Sequence, residues 1–236
     1  MATSFVLTPA YILHYRPYRD TSLLIDFFTE EQGRISVLAR GVRKPKSRLS
    51  GLLQPFIPLL ISWAGKGELF NLRAVEANGL GFSLLNKNLL SGFYSNELLV
   101  RVLPRYDAHP QLFQAYAQLL CELQSQNSCE KSLRLFEKTL LEELGYGLQL
   151  QYEAHSDTPI QAESYYCYSP DQGFSEANVN NVESGKLLFQ GQHLLNLQHD
   201  LLDDAATLRS AKHLMRVALQ PLLGNKPLLT RKMFVS

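Results

Sequence analysis

The sequence contains no apolar run long enough to cross a membrane, since its longest, LLQPFIPLLISWAG, is short and holds two prolines. The N-terminal stretch MATSFVLTPAYILHYR lacks a basic leader, which argues against a secretory signal. Cysteine is scarce, and its three thiols form no CxxC pair (Cys121, Cys129 and Cys167). We therefore expect reduced thiols and a cytoplasmic protein with no membrane partner.

Motifs for catalysis and cofactor binding are also missing. There is no G-x-x-x-x-G-K-[ST] phosphate loop, no G-x-G-x-x-G fingerprint and no G-x-S-x-G nucleophile elbow, and the six histidines are scattered. The nearest candidate for a metal site is HDLLDDA, which contains His199, Asp200, Asp203 and Asp204. Acidic residues are expected at a helix start, so we predict instead that Asp203 caps a helix beginning near residue 204. We predict no enzyme activity, no cofactor and no metal.

Charges of both signs are nearly balanced in number but unevenly distributed. The 236-residue chain has a net charge of +1, yet residues 1–78 hold ten Lys/Arg against six Asp/Glu, and the remainder holds 13 against 16. The stretch ARGVRKPKSR (39–48) gathers five cations and no acid (Arg40, Arg43, Lys44, Lys46 and Arg48). Such a run is often only a solvated loop, although a basic surface also attracts polyanions.

The first third of the chain is predicted to form strands. In RISVLAR, apolar residues alternate, with Ile35, Val37 and Ala39 on one face and Arg34, Ser36 and Arg40 on the other. Glycine-bearing turns, TEEQG and AGKGE, separate strands in two places. The predicted strands cover residues 11–15, 22–28, 34–40, 56–63 and 69–75. Five short strands in fewer than 80 residues favour a small closed barrel over an open sheet.

After residue 80 the apolar residues recur every three or four positions, which predicts helices. The predicted helices cover residues 84–103, 111–125, 130–147, 185–198 and 204–220, the last ended by Pro221. Residues 149–182 are polar and aromatic without a period, and we predict a loop there. The fold class is therefore α+β, with a barrel domain over 1–80 and a mostly α-helical domain over 81–236.

The surroundings of the basic segment favour nucleic-acid binding. It leaves a strand whose outward face already carries Arg34 and Arg40. One or two exposed aromatic rings among these cations would give a stacking platform for unpaired bases. The candidates in this third of the chain are Tyr11, Tyr15, Tyr18, Phe27, Phe28, Phe56, Trp63 and Phe70. A second basic feature is an exposed ridge of Arg209, Lys212 and Arg216 on the helix over 204–220.

Two other classes of protein remain open on these observations. One is a barrel module that binds RNA. The other is a protein adaptor whose basic loop docks an acidic partner.

Four blocks of the sequence resemble the RecO family of bacterial recombination mediators. They are residues 20–47 (DTSLLIDFFTEEQGRISVLARGVRKPKS), 51–77, 133–150 (LRLFEKTLLEELGYGLQL) and 208–234. The resemblance implies an N-terminal OB-fold barrel and a mostly helical C-terminal domain. It also implies binding of single- and double-stranded DNA and annealing of complementary strands, in the cytoplasm on the nucleoid. RecR is the implied partner in loading RecA onto strands coated by single-stranded DNA-binding protein (SSB).

We assign candidate residues to these partners. DNA backbone is expected to contact Arg34, Arg40, Arg43, Lys44, Lys46, Arg48, Arg209 and Lys212. The SSB tail, which in the family is acidic and ends in an apolar residue with a free carboxylate, requires an apolar pocket with a cation at its lip. The candidates for this pocket are Leu133, Arg134, Phe136, Lys138 and Arg216. For Arg134 the alternative is a surface helix charge paired with Glu130 or Glu137.

One feature departs from the family pattern. Many RecO-like proteins carry two cysteine pairs in the C-terminal domain that bind a structural zinc. The corresponding region here, EAHSDTPIQAESYYCYSPDQGF, has Cys167 alone. One thiol cannot build a tetrahedral site, so we predict a member of the zinc-less branch.

Overall fold

The computed structural model begins with a closed five-stranded barrel. Its strands are β1 (Thr8–Tyr18), β2 (Ser22–Thr29), β3 (Gly33–Ala39), β4 (Leu59–Ala64) and β5 (Phe70–Ala77). The strand order is β1-β2-β3-β5-β4, and β4 closes the barrel by pairing with β1. β3 and β5 run parallel, whereas the other neighbours are antiparallel. The predicted OB-fold barrel is therefore confirmed.

The structure describes residues 6–65, 69–125, 129–154, 156, 158–177 and 187–233. Its contacts divide the chain into two compact units, Met1–Asn127 with Pro227–Ser236, and Ser128–Lys226. The domain limits of 1–80 and 81–236 stay a prediction. Within the described ranges, no helix is long and apolar enough to span a membrane.

The interior of the barrel follows the alternation seen in the sequence. Ile35, Val37 and Ala39 are almost completely buried, together with residues from the neighbouring strands. A short helix, α1 (Leu49–Leu52), lies between β3 and β4 and was not predicted. β4 begins three residues later than expected because Phe56 has a left-handed backbone (φ +65°), which a strand cannot accommodate.

Besides α1, the described residues of the barrel's unit form the helices α2 (Asn86–Val102), α3 (Pro110–Gln124) and α8 (Leu229–Met233). Asn96 of α2 donates to the carbonyl of Leu13 at 3.1 Å and accepts from the hydroxyl of Tyr116 on α3. Leu13 lies where the register of β1 shifts, so Asn96 satisfies a carbonyl at an irregular point of the strand. These buried hydrogen bonds fix α2 and α3 against the outer face of the barrel.

The described residues of the second unit form four helices and a small sheet. The helices are α4 (Cys129–Glu143), α5 (Gly191–Gln198), α6 (Ala205–Ala218) and α7 (Gln220–Leu223). The predicted helices over 130–147 and 204–220 are present with shorter bounds. Pro221 lies in the first turn of α7, where proline is tolerated.

The expectation of a loop over 149–182 is wrong for residues 165–169 and 173–176, which form strands, while residues 155, 157 and 178–182 lie outside the described residues. A three-stranded sheet is formed by β6 (Tyr165–Ser169), β7 (Gly173–Glu176) and β8 (Leu188–Gln190), in the order β7-β6-β8. Gly173 closes the β6–β7 hairpin with φ +77°. The helix expected from residue 185 begins only at Gly191, since 188–190 form β8. Residues 185 and 186 lie outside the described residues.

The helix cap was predicted one residue too early. Asp204, not Asp203, caps α6, because its carboxylate accepts from the amides of Ala206 and Thr207 at 2.9 and 2.8 Å. Hydrogen bonds from Thr207 lower the pKa of Asp204. Asp203 instead pairs with Lys131 at 2.6 Å.

Candidate nucleic-acid interface

The basic loop, residues 40–48, follows directly after β3 and presents five exposed cations (Arg40, Arg43, Lys44, Lys46 and Arg48). Val42 is 2% exposed and anchors the loop in the barrel core. The backbone is turned by hydrogen bonds from Lys44 N to Gly41 O and from Ser47 N to Lys44 O. A single apolar anchor and two turns therefore hold the cations outward.

The basic loop also touches the turn between β1 and β2. The amide of Arg43 donates to Thr21 O at 2.9 Å, and its guanidinium donates to Arg19 O at 3.3 Å. Arg19 is exposed, and its own guanidinium lies 5.4 Å from the ring centre of Tyr18. The turn thus extends the cationic surface beyond the loop, and Arg19 was not among the predicted residues.

The charges of the basic loop are not compensated by neighbouring acids. Among the described residues, no carboxylate forms an ion pair with any of its five cations. A cation that is exposed and without an acidic partner can bind a phosphate without first breaking an internal bond. The basic loop therefore has the electrostatic properties expected of a phosphate-binding surface.

A cleft of about 460 Å³ opens beside the basic loop, along the seam between β3 and β5. Arg40 and Arg73 contribute cations to its lining, and Leu49 of α1 contributes an apolar wall. Asn71 also lines the cleft, and its side-chain oxygen is buried with no hydrogen-bond partner among the described residues. Sequence reasoning did not propose Arg73, although its place between Leu72 and Ala74 in a predicted strand marked an outward position.

Arg34 is placed differently from the other predicted DNA contacts. It is half-buried, and its Nε donates to the carbonyl of Leu103 at 3.1 Å. Burial lowers the pKa of its guanidinium, which the nearby carboxylate of Asp26 counteracts and Arg105 reinforces. The expectation that Arg34 extends an open stripe with Arg40 is corrected, because the segment after α2 covers part of its side chain.

The ridge on α6 has the predicted exposure. Arg209, Lys212 and Arg216 are all exposed, while Ala211 and Met215 are buried. Lys212 approaches Glu130 at 3.4 Å, an exposed pair of the kind that contributes little to stability. The ridge therefore gives the second unit a cationic surface of its own.

Three of the four candidates for the SSB tail on α4 are buried. Leu133 and Phe136 are buried at 7% and 2% exposure, and Arg134 is also 7% exposed. The Arg134 guanidinium lies 3.1 Å from the carboxylate of Glu137, which is itself completely buried. The expectation that Arg134 presents its charge at the lip of a pocket is therefore corrected.

Lys138 is held by the end of α5. Its ammonium donates to the carbonyls of Leu197 and Gln198 at 3.2 and 3.1 Å, and to the carboxylate of Asp200 at 2.7 Å. Cations are favourable at this end of a helix because its last carbonyls lack partners within the helix. Of the predicted SSB contacts, Arg216 is the one that the structure leaves exposed.

The described residues contain no group of three or more His, Cys, Asp or Glu side chains that could hold a metal ion. Cys167 lies on β6 and forms no disulfide bond, and neither do Cys121 and Cys129. The absence of zinc stays a prediction.

Comparisons with known proteins identify the family over almost the whole chain. The family model "Recombination protein O N terminal" matches residues 1–79, and "Recombination protein O C terminal" matches residues 87–232. A protein named DNA repair protein RecO from Coxiella burnetii (strain RSA 331) is 43% identical over 233 residues, which is 99% of each chain. A protein with the same name from Nitrosococcus oceani is 44% identical over 226 residues, which cover 96% of this chain and 91% of the relative. This chain belongs to the recombination protein O (RecO) family.

Proposed function

We propose that this protein is a DNA-binding recombination mediator. It binds single- and double-stranded DNA, anneals complementary strands and, with RecR, helps to load RecA onto single strands coated by SSB. The observation that carries the proposal is the basic loop, whose five exposed cations have no acidic partner among the described residues. Membership of the RecO family, whose relatives are named for DNA repair, supports the same function. The bacterial cytoplasm, on the nucleoid, is where such a protein would work.

Annealing requires no covalent chemistry from the protein, and we propose neither enzyme activity nor a cofactor. Two DNA strands repel each other because both backbones are polyanions. A surface that neutralises phosphates on the strands lowers this repulsion, and base pairing then supplies the driving free energy. The basic loop, extended by Arg19 and the cations of the cleft, is suited to this task because its charges already face solvent.

A second DNA contact is proposed on α6. Arg209 and Lys212 are exposed, and the ammonium of Lys212 has only a loose carboxylate neighbour at 3.4 Å. Such a pair can be exchanged for a phosphate at little cost. Each of the two compact units thus offers a cationic surface.

The SSB tail is proposed to bind the second unit through Arg216. A free carboxylate is recognised best by an exposed guanidinium, which can donate two parallel hydrogen bonds. The other four candidates are not proposed to touch the tail. Leu133, Arg134 and Phe136 lie in the interior, and Lys138 caps α5.

The DNA-binding proposal is tested by the dependence of affinity on salt. If about four phosphates are neutralised, the logarithm of affinity for single-stranded DNA should fall with the logarithm of salt concentration with a slope of about −3. Replacing Arg43, Lys44 and Lys46 together by Ala should flatten the slope to roughly −1 and slow annealing. The measurements are fluorescence titration at several salt concentrations and a fluorescence annealing assay with bare and SSB-coated strands.

A matched control removes three cations elsewhere, the exposed Lys87 and Lys226 and the partly buried Lys131, and should leave the slope and the annealing rate near those of the wild type. An unchanged slope in the loop variant would show that the loop does not hold phosphates. Preference for RNA of equal length would favour an RNA-binding module. Failure to form duplex from complementary strands would favour a protein adaptor.

A further inference from the structure

Three aromatic side chains form a row on the barrel, which we call the aromatic row. Trp63 lies near the end of β4, Phe70 begins β5, and Tyr106 belongs to the segment between α2 and α3. The ring centres of Trp63 and Phe70 are 6.4 Å apart, and those of Phe70 and Tyr106 are 5.9 Å apart. Trp63 and Phe70 are half-buried against the barrel core, whereas Tyr106 is 43% exposed.

The position of Tyr106 is fixed by backbone contacts with β3. Arg105 forms a parallel bridge with Arg34, on the strand whose later residues Val37 and Leu38 pair with β5. The amide of Tyr106 donates to Arg34 O at 3.1 Å. The segment therefore occupies the edge of β3 ahead of the point where β5 begins to pair. This places the Tyr106 ring beside Phe70, with a left-handed backbone (φ +61°) that aromatic residues rarely adopt.

Cations flank the aromatic row. Arg105 is exposed, and its charge is near enough to that of Arg34 to lower the pKa of the Arg34 guanidinium, after the larger effect of burial. In the chain direction of β5, Phe70 is followed by Asn71, which lines the cleft together with Arg40 and Arg73. The row and the cleft thus meet at adjacent residues of β5, and Arg40 belongs both to the cleft and to the basic loop.

Asn71 gives a second indication that a ligand binds here. Its side-chain oxygen is buried and has no hydrogen-bond partner among the described residues, although it lines an open cleft. Buried polar atoms in native proteins nearly always have a partner. The amino and imino groups of nucleobases could donate a hydrogen bond to this oxygen.

We propose that the aromatic row stacks the unpaired bases of single-stranded DNA whose phosphates are held by the basic loop. This inference rests on the proposed DNA-binding function and adds the contact that would distinguish single strands from duplex. Every base has a π-face that can stack on an aromatic ring, and in a duplex those faces are already covered by neighbouring bases. Rings that only sealed the barrel would be buried as Trp63 and Phe70 partly are, whereas Tyr106 is 43% exposed beside Phe70.

The sole tryptophan of the chain, Trp63, reports directly on the site. The full-length protein is titrated with an oligo(dT) of about ten nucleotides, within the range of site sizes of OB-folds, and with an abasic oligonucleotide of equal length. Both carry the same phosphates, but only oligo(dT) has bases to stack. We expect oligo(dT) to quench Trp63 fluorescence and to bind about tenfold more tightly than the abasic strand. This factor corresponds to the stacking free energy of one to two bases.

The Tyr106→Ala variant should lose most of this preference for oligo(dT) while keeping the salt slope and the affinity for the abasic strand. Tyr106→Phe retains the ring and should behave like the wild type. Tyr146→Ala removes a tyrosine that is 57% exposed elsewhere and should change neither affinity.

Two results would overturn the stacking site alone. One is equal binding and equal quenching by oligo(dT) and the abasic strand in the wild type, a comparison that needs no variant to fold. The other is a Tyr106→Ala protein with an unchanged preference for oligo(dT). In both, salt-dependent DNA binding would persist. If the wild-type protein binds neither strand, the DNA-binding function itself fails.

Discussion

Gly33 determines how closely the segment between α2 and α3 can approach the barrel. Its backbone is left-handed (φ +62°), and a Cβ atom added to it would lie 1.7 Å from the carbonyl oxygen of Asp107. The obstruction is backbone, so no side-chain rotation can relieve it. Because Tyr106 precedes Asp107, the glycine at position 33 is also a condition for the aromatic row.

Gly33→Ala should lower the free energy of unfolding by more than the strain of placing alanine in a left-handed backbone conformation. The left-handed backbone costs about 1–2 kcal/mol, and overpacking adds a further 1–3 kcal/mol or so. Gly41→Ala is the matched control in the same unit, because it has φ +71° but its nearest neighbour, the flexible Lys44 side chain, is 3.6 Å away. Urea unfolding followed by circular dichroism measures both, and equal losses in the two variants would contradict the close approach at Gly33.

Local sequence patterns predicted which barrel residues face inward. They did not predict which outward-facing residues are covered by other segments of the chain. Alternation placed Ile35, Val37 and Ala39 inside correctly, because a strand repeats every two residues. The same pattern left Arg34 open to solvent, whereas its Nε bonds to Leu103, 69 positions along the chain. Arg134 was misplaced for a similar reason, since a buried ion pair interrupts the polar face that the helical period predicts.

In the second unit, the side chain of Lys138 links α4 to the end of α5. Lys138 of α4 donates to two terminal carbonyls of α5 and to Asp200, and its side chain is only 13% exposed. Lys131, on the same helix, makes a single ion pair with Asp203 and is 32% exposed. The two lysines thus offer a comparison between a helix cap and a surface ion pair.

Lys138→Met should reduce the free energy of unfolding by about 1.5–3 kcal/mol, because hydrogen bonds to a charged group are lost and two carbonyls are left without their donor. Lys131→Met should cost less than about 1 kcal/mol, as exposed ion pairs do. Thermal and urea unfolding of both variants check this. If the two substitutions cost the same, the capping role of Lys138 is wrong.

The elements that escaped prediction are the short ones. β6, β7 and β8 have five, four and three residues, too few for a repeat to stand out from a polar, aromatic background. Their stability comes from the pairing of β6 with its hairpin partner β7 and with the more distant β8, and from buried rings such as Tyr166 and Phe174. The long, strongly periodic helices α2, α3 and α4 were predicted to within a few residues because one apolar face specifies each of them.

Over the chain as a whole, a net charge of +1 conceals two separate cationic surfaces. The basic loop was visible in the sequence because its five cations fall within nine positions, and the ridge on α6 was visible because helical spacing aligns its cations. The cations contributed by Arg19, Arg73 and Arg105 depend on which segments meet in space, so sequence patterns gave them little or no signal. The predicted site was therefore correct in its local parts and incomplete where several segments converge.

The proposed SSB contact can be located by comparing two arginines on the same helix. Arg216 and Arg209 are both exposed on α6, but only Arg216 is proposed to bind the terminal carboxylate. Arg216→Ala should weaken binding of a labelled SSB-tail peptide about tenfold or more, the size of a charge-assisted hydrogen bond. Arg209→Ala should leave it unchanged.

An amidated tail peptide completes the test, since it lacks the carboxylate that Arg216 is proposed to bind. Amidation should weaken binding to the wild type by a similar factor and should have little further effect on the Arg216→Ala variant, because the two changes remove one and the same interaction. Additive losses would show that Arg216 and the carboxylate act independently. Full affinity in the Arg216→Ala variant would place the tail on another surface, and since Leu133, Arg134 and Phe136 are buried, that surface would not be the predicted face of α4.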